Sequence, residues 1–586
     1  MEFLVSTLRL PTSHAGGLTR QAARRLSLSL FLVTACAGIR VNEIVLPTAH
    51  EVATLLAENV IEVPPIGSHE RPISSASTEA QAWFNQGLRY SYSFNQDQAA
   101  ACYARAALAA PECPMAWWGI SYVLNVDINN QEVLEEEAIW ALVASREAQR
   151  LAHLATPVER AMIAAAANRT VAPAPPHEKR GLLDKAYAED LATLWENHQQ
   201  DVDVGALYAE SLMLLQPWNY WTSTYEPIQW AEEIVELLER CLDVDPSHPG
   251  ANHFYIHMVE SSGRAERGIA SADRLGELMP GAGHLVHMPS HIYINVGRYD
   301  DAIRVNQRAV ELDEAYFLRY QKPTFYMNYY AHNIHFITFA AMMEGRKNLA
   351  LDYIGQLEVL VDDELIAALA PAIDGMNASR MHVYIRFGMW NEIMAHPGYA
   401  EFRKASRTLH RYARTVALAN LGRTDEARRE LAYFDAAAAE TPEEWMIAFN
   451  PSHDVFRLAR LVAEAELVWR EGDPKGAIAI LRDACALEDE LLYTEPPPWM
   501  IPVRHALGAI QIASGDFAGA GATYRDDLKK HKGNAWSLLG LHQALTGMGK
   551  LKEAATLQAS VQSAWERSDV APPASCYCAV PLLQKG

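Results

Sequence analysis

Cysteine is scarce in this chain, with 7 in 586 residues. No two of them form the CxxC spacing of a thiolate zinc site, and their scatter specifies no disulfide framework. Cys576 and Cys578 are the one close pair. Positive charge is also short: 50 Lys and Arg stand against 72 Asp and Glu, for a net charge of −22. That balance excludes a nucleic-acid binder, whose affinity rests on neutralising phosphates, and it suits an anionic membrane surface poorly. Long strand signals are few. The sequence has no Walker A loop, no GxGxxG placed between strand and helix, no GxSxG and no HExxH.

What the chain has is a core and a period. Half of its residues are hydrophobic and 21% are charged, so it buries a core and is not disordered. Ala-rich runs with a 3.6-residue period dominate, which predicts an all-α protein. Residues 248–302, HPGANHFYIHMVESSGRAERGIASADRLGELMPGAGHLVHMPSHIYINVGRYDDA, contain one pattern twice. His253 and His257 are four apart, as are His287 and His291, and each residue of the first pair precedes its counterpart by 34. A 34-residue period is the length of a helix–turn–helix unit that stacks into a superhelix.

The same period runs through most of the chain. In the first clear unit, Trp83, Gly87, Tyr90, Ala99, Tyr103, Ala106 and Pro111 take positions 4, 8, 11, 20, 24, 27 and 32 of a repeat. Further units are predicted at 406–437, 458–488, 501–530 and 533–566, with a long insertion after MAWWGISYVL. On these residues the chain resembles the tetratricopeptide-repeat (TPR) family over most of 78–566. It also resembles exported bacterial repeat proteins carrying HFYIH and HMPSHIY segments, a likeness that supplies a fold and no reaction. The expected organisation is a targeting segment at 1–36, a linker at 37–77 and N-terminal repeats with an insertion at 78–245. His-rich repeats follow at 246–400, C-terminal repeats at 401–566 and a tail at 567–586.

The family's fold implies that positions 2, 5, 9 and 12 of each first helix line the concave groove. His253 and His287 then occupy position 5, and His257 and His291 position 9. His284 takes position 2 and Glu260 position 12. In the next unit, His332 and His335 take positions 2 and 5, and His382 reaches position 9 one unit on. Side chains four apart on a helix lie roughly 5–6 Å apart at Cβ, close enough for two imidazoles to share an ion. Neutral imidazoles suit copper, iron or zinc. The expectation is one mononuclear centre or a close pair built by His253, His257, His287, His291 and His335. His284, His332 and Glu260 lie in its margin, Glu260 as a ligand or general base. Tyr255, Tyr293, Asn252 and Asn295 are expected to orient the imidazoles. His410, His453 and His542 should lie outside.

Alternatives remain at this level. A metal-free polar groove, simple packing, or a scaffold that binds peptides or small molecules each fit the same residues. WNYW at 218–221 either lines a groove or fills helix interfaces. Pro289, between His287 and His291, is tolerable only in a first turn and predicts a kink. If the chain is an enzyme, oxidation or hydrolysis at an open metal position is expected.

The N-terminus reads as an export signal. Arg9, Arg20, Arg24 and Arg25 precede LSLSLFLVTA, which has the length of a signal-peptide core and is too short to span a bilayer. It ends in Leu32-Val33-Thr34-Ala35-Cys36, which resembles a bacterial lipobox, with membrane attachment through a lipidated Cys36 as its consequence. An organellar presequence or a mis-called start are the alternatives.

Overall fold

The computed structural model describes residues 46–579, apart from 62–64 and 323. Cys36 and the targeting segment lie outside the described residues. The chain is an all-α TPR superhelix of antiparallel helix pairs; the only strands among the described residues are the two-residue pieces Met446–Ile447 and Asn450–Pro451. No helix among them is long and apolar enough to cross a membrane.

The repeat signature explains the stacking. Helices Thr78–Tyr92 and Gln96–Ala109 form one pair, and Pro114–Val123 begins the next layer. Tyr103, at position 24, lies between Gly87 and Gly119, the position-8 glycines of its own and the following unit. A Cβ at either glycine would come within 2.8 or 2.4 Å of the Tyr103 ring. Near the other end Tyr524 fits between Gly508 and Gly540 in the same way, with 2.4 and 2.2 Å to a would-be Cβ. Small residues at position 8 let an aromatic ring key one layer to the next.

The insertion is helical. Glu135–Leu151, Pro157–Arg169 and His177–Asn197 continue the stack toward Val202–Met213. The excess residues before His332 extend the preceding helix, Tyr299–Tyr320, rather than forming a loop over the groove. Pro289 divides its helix as expected, giving Gly283–His287 and Pro289–Val296, with Met288 helical between them.

The superhelix folds back on itself. Gly297, with φ +83°, ends the Pro289–Val296 helix against the backbone of Lys532 and Gly533, where a Cβ would meet the Lys532 carbonyl at 2.4 Å. Trp536 donates from Nε1 to the Met342 carbonyl at 2.8 Å. From the other end, Gly281 donates its N–H to Ile66 at 3.2 Å, and Trp218 donates to Ile128 at 2.9 Å. Segments near both ends of the described chain therefore pack against the repeats that carry the histidines. The described part of the tail, to residue 579, packs against the C-terminal repeats. It runs inward, where Ser575 bonds Tyr524 at 2.6 Å and the His505 carbonyl at 2.8 Å, and Cys576 is disulfide-bonded to Cys578.

Candidate metal centre

Three helical segments and their neighbour carry the histidines: Pro249–Glu260, Gly283–His287, Pro289–Val296 and Met327–Met343. Their rings gather into two triads. His253, His257 and His284 form the first, and His287, His291 and His332 the second. Each triad takes positions 5 and 9 of one repeat and position 2 of the next, so the second is a copy of the first displaced by one repeat. The series stops there because position 9 of the third repeat is Phe339. Five of the six rings are buried, and His332 is partly exposed.

The ring nitrogens are aimed at one another. His253 Nε2 lies 3.1 Å from His257 Nε2 and 3.2 Å from His284 Nε2. His287 Nε2 lies 2.8 Å from His291 Nε2. Two nitrogens about 2.0 Å from a shared tetrahedral ion stand about 3.3 Å apart. The first triad is therefore already near ligand spacing.

The outer nitrogens fix the proton positions. His253 Nδ1 lies 2.8 Å from the Tyr92 carbonyl, so it carries the proton and Nε2 is a bare lone pair. His287 Nδ1 lies 2.6 Å from Asn306 Oδ1, whose amide nitrogen donates to Ala302 at 2.8 Å and so fixes the oxygen as acceptor. His287 Nε2 is likewise a lone pair. In the first triad, two neighbouring nitrogens approach a single acceptor lone pair, and a hydrogen bond satisfies only one of them. His284 Nδ1 has no hydrogen-bond partner among the described residues. Such rings, held by Nδ1–H on a carbonyl with Nε2 pointing inward, have the support that metal-ligating imidazoles require.

On the outer side of His291, Nδ1 meets Glu495 and lies 3.1 Å from Glu260 Oε2, while Glu260 Oε1 is 3.4 Å from His257 Nδ1. Glu495 arrives from a proline-rich loop 204 residues away and is held by Asn295 and Tyr493. Burial raises both carboxyls well above the usual range, and the Glu495 carboxylate raises Glu260 further. Burial lowers the imidazoles, His253 to about 3 and His287 to about 4. His257, His284, His291 and His332 also fall well below the ordinary value, first by burial and then by the neighbouring rings.

The expected residues divide as follows. His253, His257, His287 and His291 come together, and the His257 and His291 rings are 5.7 Å apart. His284 and His332 join them as full members rather than margin. His335 does not: its Nε2 pairs with Ser379 Oγ at 3.0 Å. The Met327–Met343 helix enters with position 2, not position 5, toward the centre. Tyr255 and Tyr293 do not orient imidazoles; they bond Glu239 and Asp273. Two residues along a helix is a turn of about 200°, which carries them to the opposite side. Asn252 bonds backbone carbonyls, and Asn295 acts one step removed, through Glu495. Of WNYW, Trp218 meets His257 edge-on at 4.9 Å and Trp221 donates to Met258 at 2.7 Å, so both enclose the site helix. Sequence reasoning missed Tyr92, Asn306 and Glu495. A backbone carbonyl and two distant polar side chains leave no spacing signal.

His69, Asp203 and His248 also converge, and the same proton accounting assigns them a different role. His248 Nδ1 accepts the N–H of Ala251 at 3.0 Å, capping the Pro249–Glu260 helix, so its proton is on Nε2 and goes to Asp203 at 3.0 Å. Tyr92 and Arg71 donate to the same carboxylate at 2.6 and 3.0 Å. Asp203 is thus a hydrogen-bonded anchor for the helix that carries His253 and His257. A fourth convergence, of Glu466 with Cys576 and Cys578, offers no thiolate because the two sulfurs are bonded to each other.

No protein-family model and no curated protein matches the chain. Among solved structures it is similar to the APC/C hetero-tetramer Cut9–Hcn1 at 12% identity, covering 84% of this chain and 76% of that one, with a TM-score of 0.31. It is similar to the human IFIT1 dimer with PPP-AAAA at 10% identity, covering 88% and 94%, with a TM-score of 0.30. The yeast Tom70 structure matches at 13% identity, covering 82% and 96%, with a TM-score of 0.31.

Proposed function

We propose that this TPR solenoid holds two transition-metal ions, one in each histidine triad, and that it is a copper-dependent oxidoreductase. The observation that carries the reading is the inward lone pair of His253, fixed by the Tyr92 carbonyl and faced by two imidazole nitrogens at 3.1 and 3.2 Å, only one of which a hydrogen bond satisfies. A cation between them would satisfy all three, and the second triad repeats the arrangement one repeat on, with His287 Nε2 facing His291 Nε2 at 2.8 Å.

The donor set favours copper. Each triad offers three neutral nitrogens and no carboxylate, whereas non-haem iron sites add a carboxylate to two histidines. Among divalent ions, nitrogen sites bind copper most strongly. Zinc, with hydrolysis by a bound water, is the runner-up. A peptide scaffold fits less well at this place, because five of the six rings are buried; a ligand reaching the ions would be small. The lipobox-like segment ending at Cys36 adds an exported, periplasmic or lipid-anchored location to the proposal.

The test is an anaerobic titration of metal-free, untagged protein with Cu(I), and in parallel with Zn(II), against a chromophoric chelator. About two Cu(I) ions per chain are expected, held more tightly than zinc. Binding of neither metal would remove the reading, and tighter zinc binding would turn it toward hydrolysis.

A further inference from the structure

Resting on the two-ion reading, we infer that the two triads act as one unit whose substrate is dioxygen, bound in the gap between the ions. The triads are in contact: the His284 and His287 rings lie 5.8 Å apart and those of His257 and His291 5.7 Å apart. Three protein ligands leave a further position open on each ion, as catalytic metal sites require. Adjacent ions with open positions can grip the two ends of a small molecule.

What surrounds the two triads selects the molecule. Phe94 lies 4.6 Å from the His253 ring and 5.6 Å from that of His284. Phe336 lies 5.0 and 4.9 Å from His287 and His291, and Tyr329 covers His284 at 4.2 Å. This wall is apolar, so a hydrated anion would lose its water without replacement hydrogen bonds. Glu260 and Glu495 sit on the Nδ1 side of His291, away from the inward nitrogens, and are not placed to bridge the ions. A small, uncharged molecule that draws its binding energy from the metals fits; dioxygen is one. His332 is the least buried of the six.

The step balances without a further reactant. Each Cu(I) gives one electron and becomes Cu(II). Dioxygen accepts both, keeps one oxygen–oxygen bond and is held by the pair as a doubly reduced ligand. No proton is consumed.

The experiment loads untagged protein anaerobically with Cu(I), then admits oxygen and follows oxygen uptake, near-ultraviolet absorption and electron paramagnetic resonance. Uptake of about one dioxygen per two ions, a new intense near-ultraviolet band and a paramagnetic signal far below that of the total Cu(II) are expected. In His332→Ala, the least buried ligand, oxygen uptake should fall about tenfold while the first triad keeps its ion, with unchanged helical circular dichroism as the folding check. Copper bound at both triads with no oxygen uptake, or with a full signal from two isolated Cu(II) ions, overturns this inference alone. Failure to bind copper at all overturns the metal reading and this inference together.

Discussion

Alanine at His287 lowers copper affinity at the second triad by more than about 100-fold, while the first triad keeps its ion. The comparison variant is Asn306→Leu, which removes the acceptor of His287 Nδ1–H, together with the amide's own bond to Ala302, and leaves every imidazole in place. Outer-shell losses of this type cost about 10–100-fold in metal affinity, so Asn306→Leu should fall in that range and below His287→Ala. The grading is informative because a packing role for His287 would not rank the two variants by metal affinity. Competition titration of each variant checks it. Equal, unchanged copper affinity in both would remove His287 from the ligand set.

Asn at Asp203 should be the most destabilising single change near the centre. Asp203 is buried, receives hydrogen bonds from His69, His248, Tyr92 and Arg71, and anchors the helix of His253 and His257. Breaking a buried charged network by removing one partner costs about 3–5 kcal/mol. Here the Arg71 guanidinium, which is also bonded to Asp201, loses one of its two carboxylates. The pH dependence follows from the carboxyl. Burial alone would raise it, but the hydrogen bonds from His248 and His69 hold it well below the ordinary range. A group with a depressed folded pKa contributes stability that is fully present above its unfolded value of about 3.9 and is lost as pH falls toward the folded value. Thermal unfolding of the wild type should therefore lose stability below about pH 4, and Asp203→Asn should lack that component while starting from a lower midpoint. The variant should also bind copper more weakly at the first triad, because Tyr92 joins Asp203 to His253 through its hydroxyl and its carbonyl. An unchanged midpoint at neutral pH would show that the network is not an anchor.

The fold was legible because the repeat writes its packing into fixed positions. Gly87, Tyr103 and Gly119 could be placed from spacing alone, and the structure shows why: one ring fills the space that two glycines leave. The four histidines at positions 5 and 9 were legible for the same reason. Position 2 was visible too, in His284 and His332, but the weight given to His335 was misplaced. Which of two residues three apart faces the centre depends on how the helix is rotated, and spacing along the sequence does not encode that rotation. A close pair was one of the two expectations, but its division into these two triads was not readable, since equivalence of repeats says that sites recur and not which rings pair across the boundary. Glu495 was out of reach for a different reason. It depends on the chain folding back over 204 residues, a closure that no local pattern encodes.

Crystals of untagged, copper-loaded protein measured at the copper absorption edge test the central claim most directly. Two anomalous peaks are predicted, one about 2.0 Å from the Nε2 atoms of His253, His257 and His284 and the other at the same distance from those of His287 and His291 and from a ring nitrogen of His332. Copper-loaded crystals with no anomalous peak at the histidines would contradict the account.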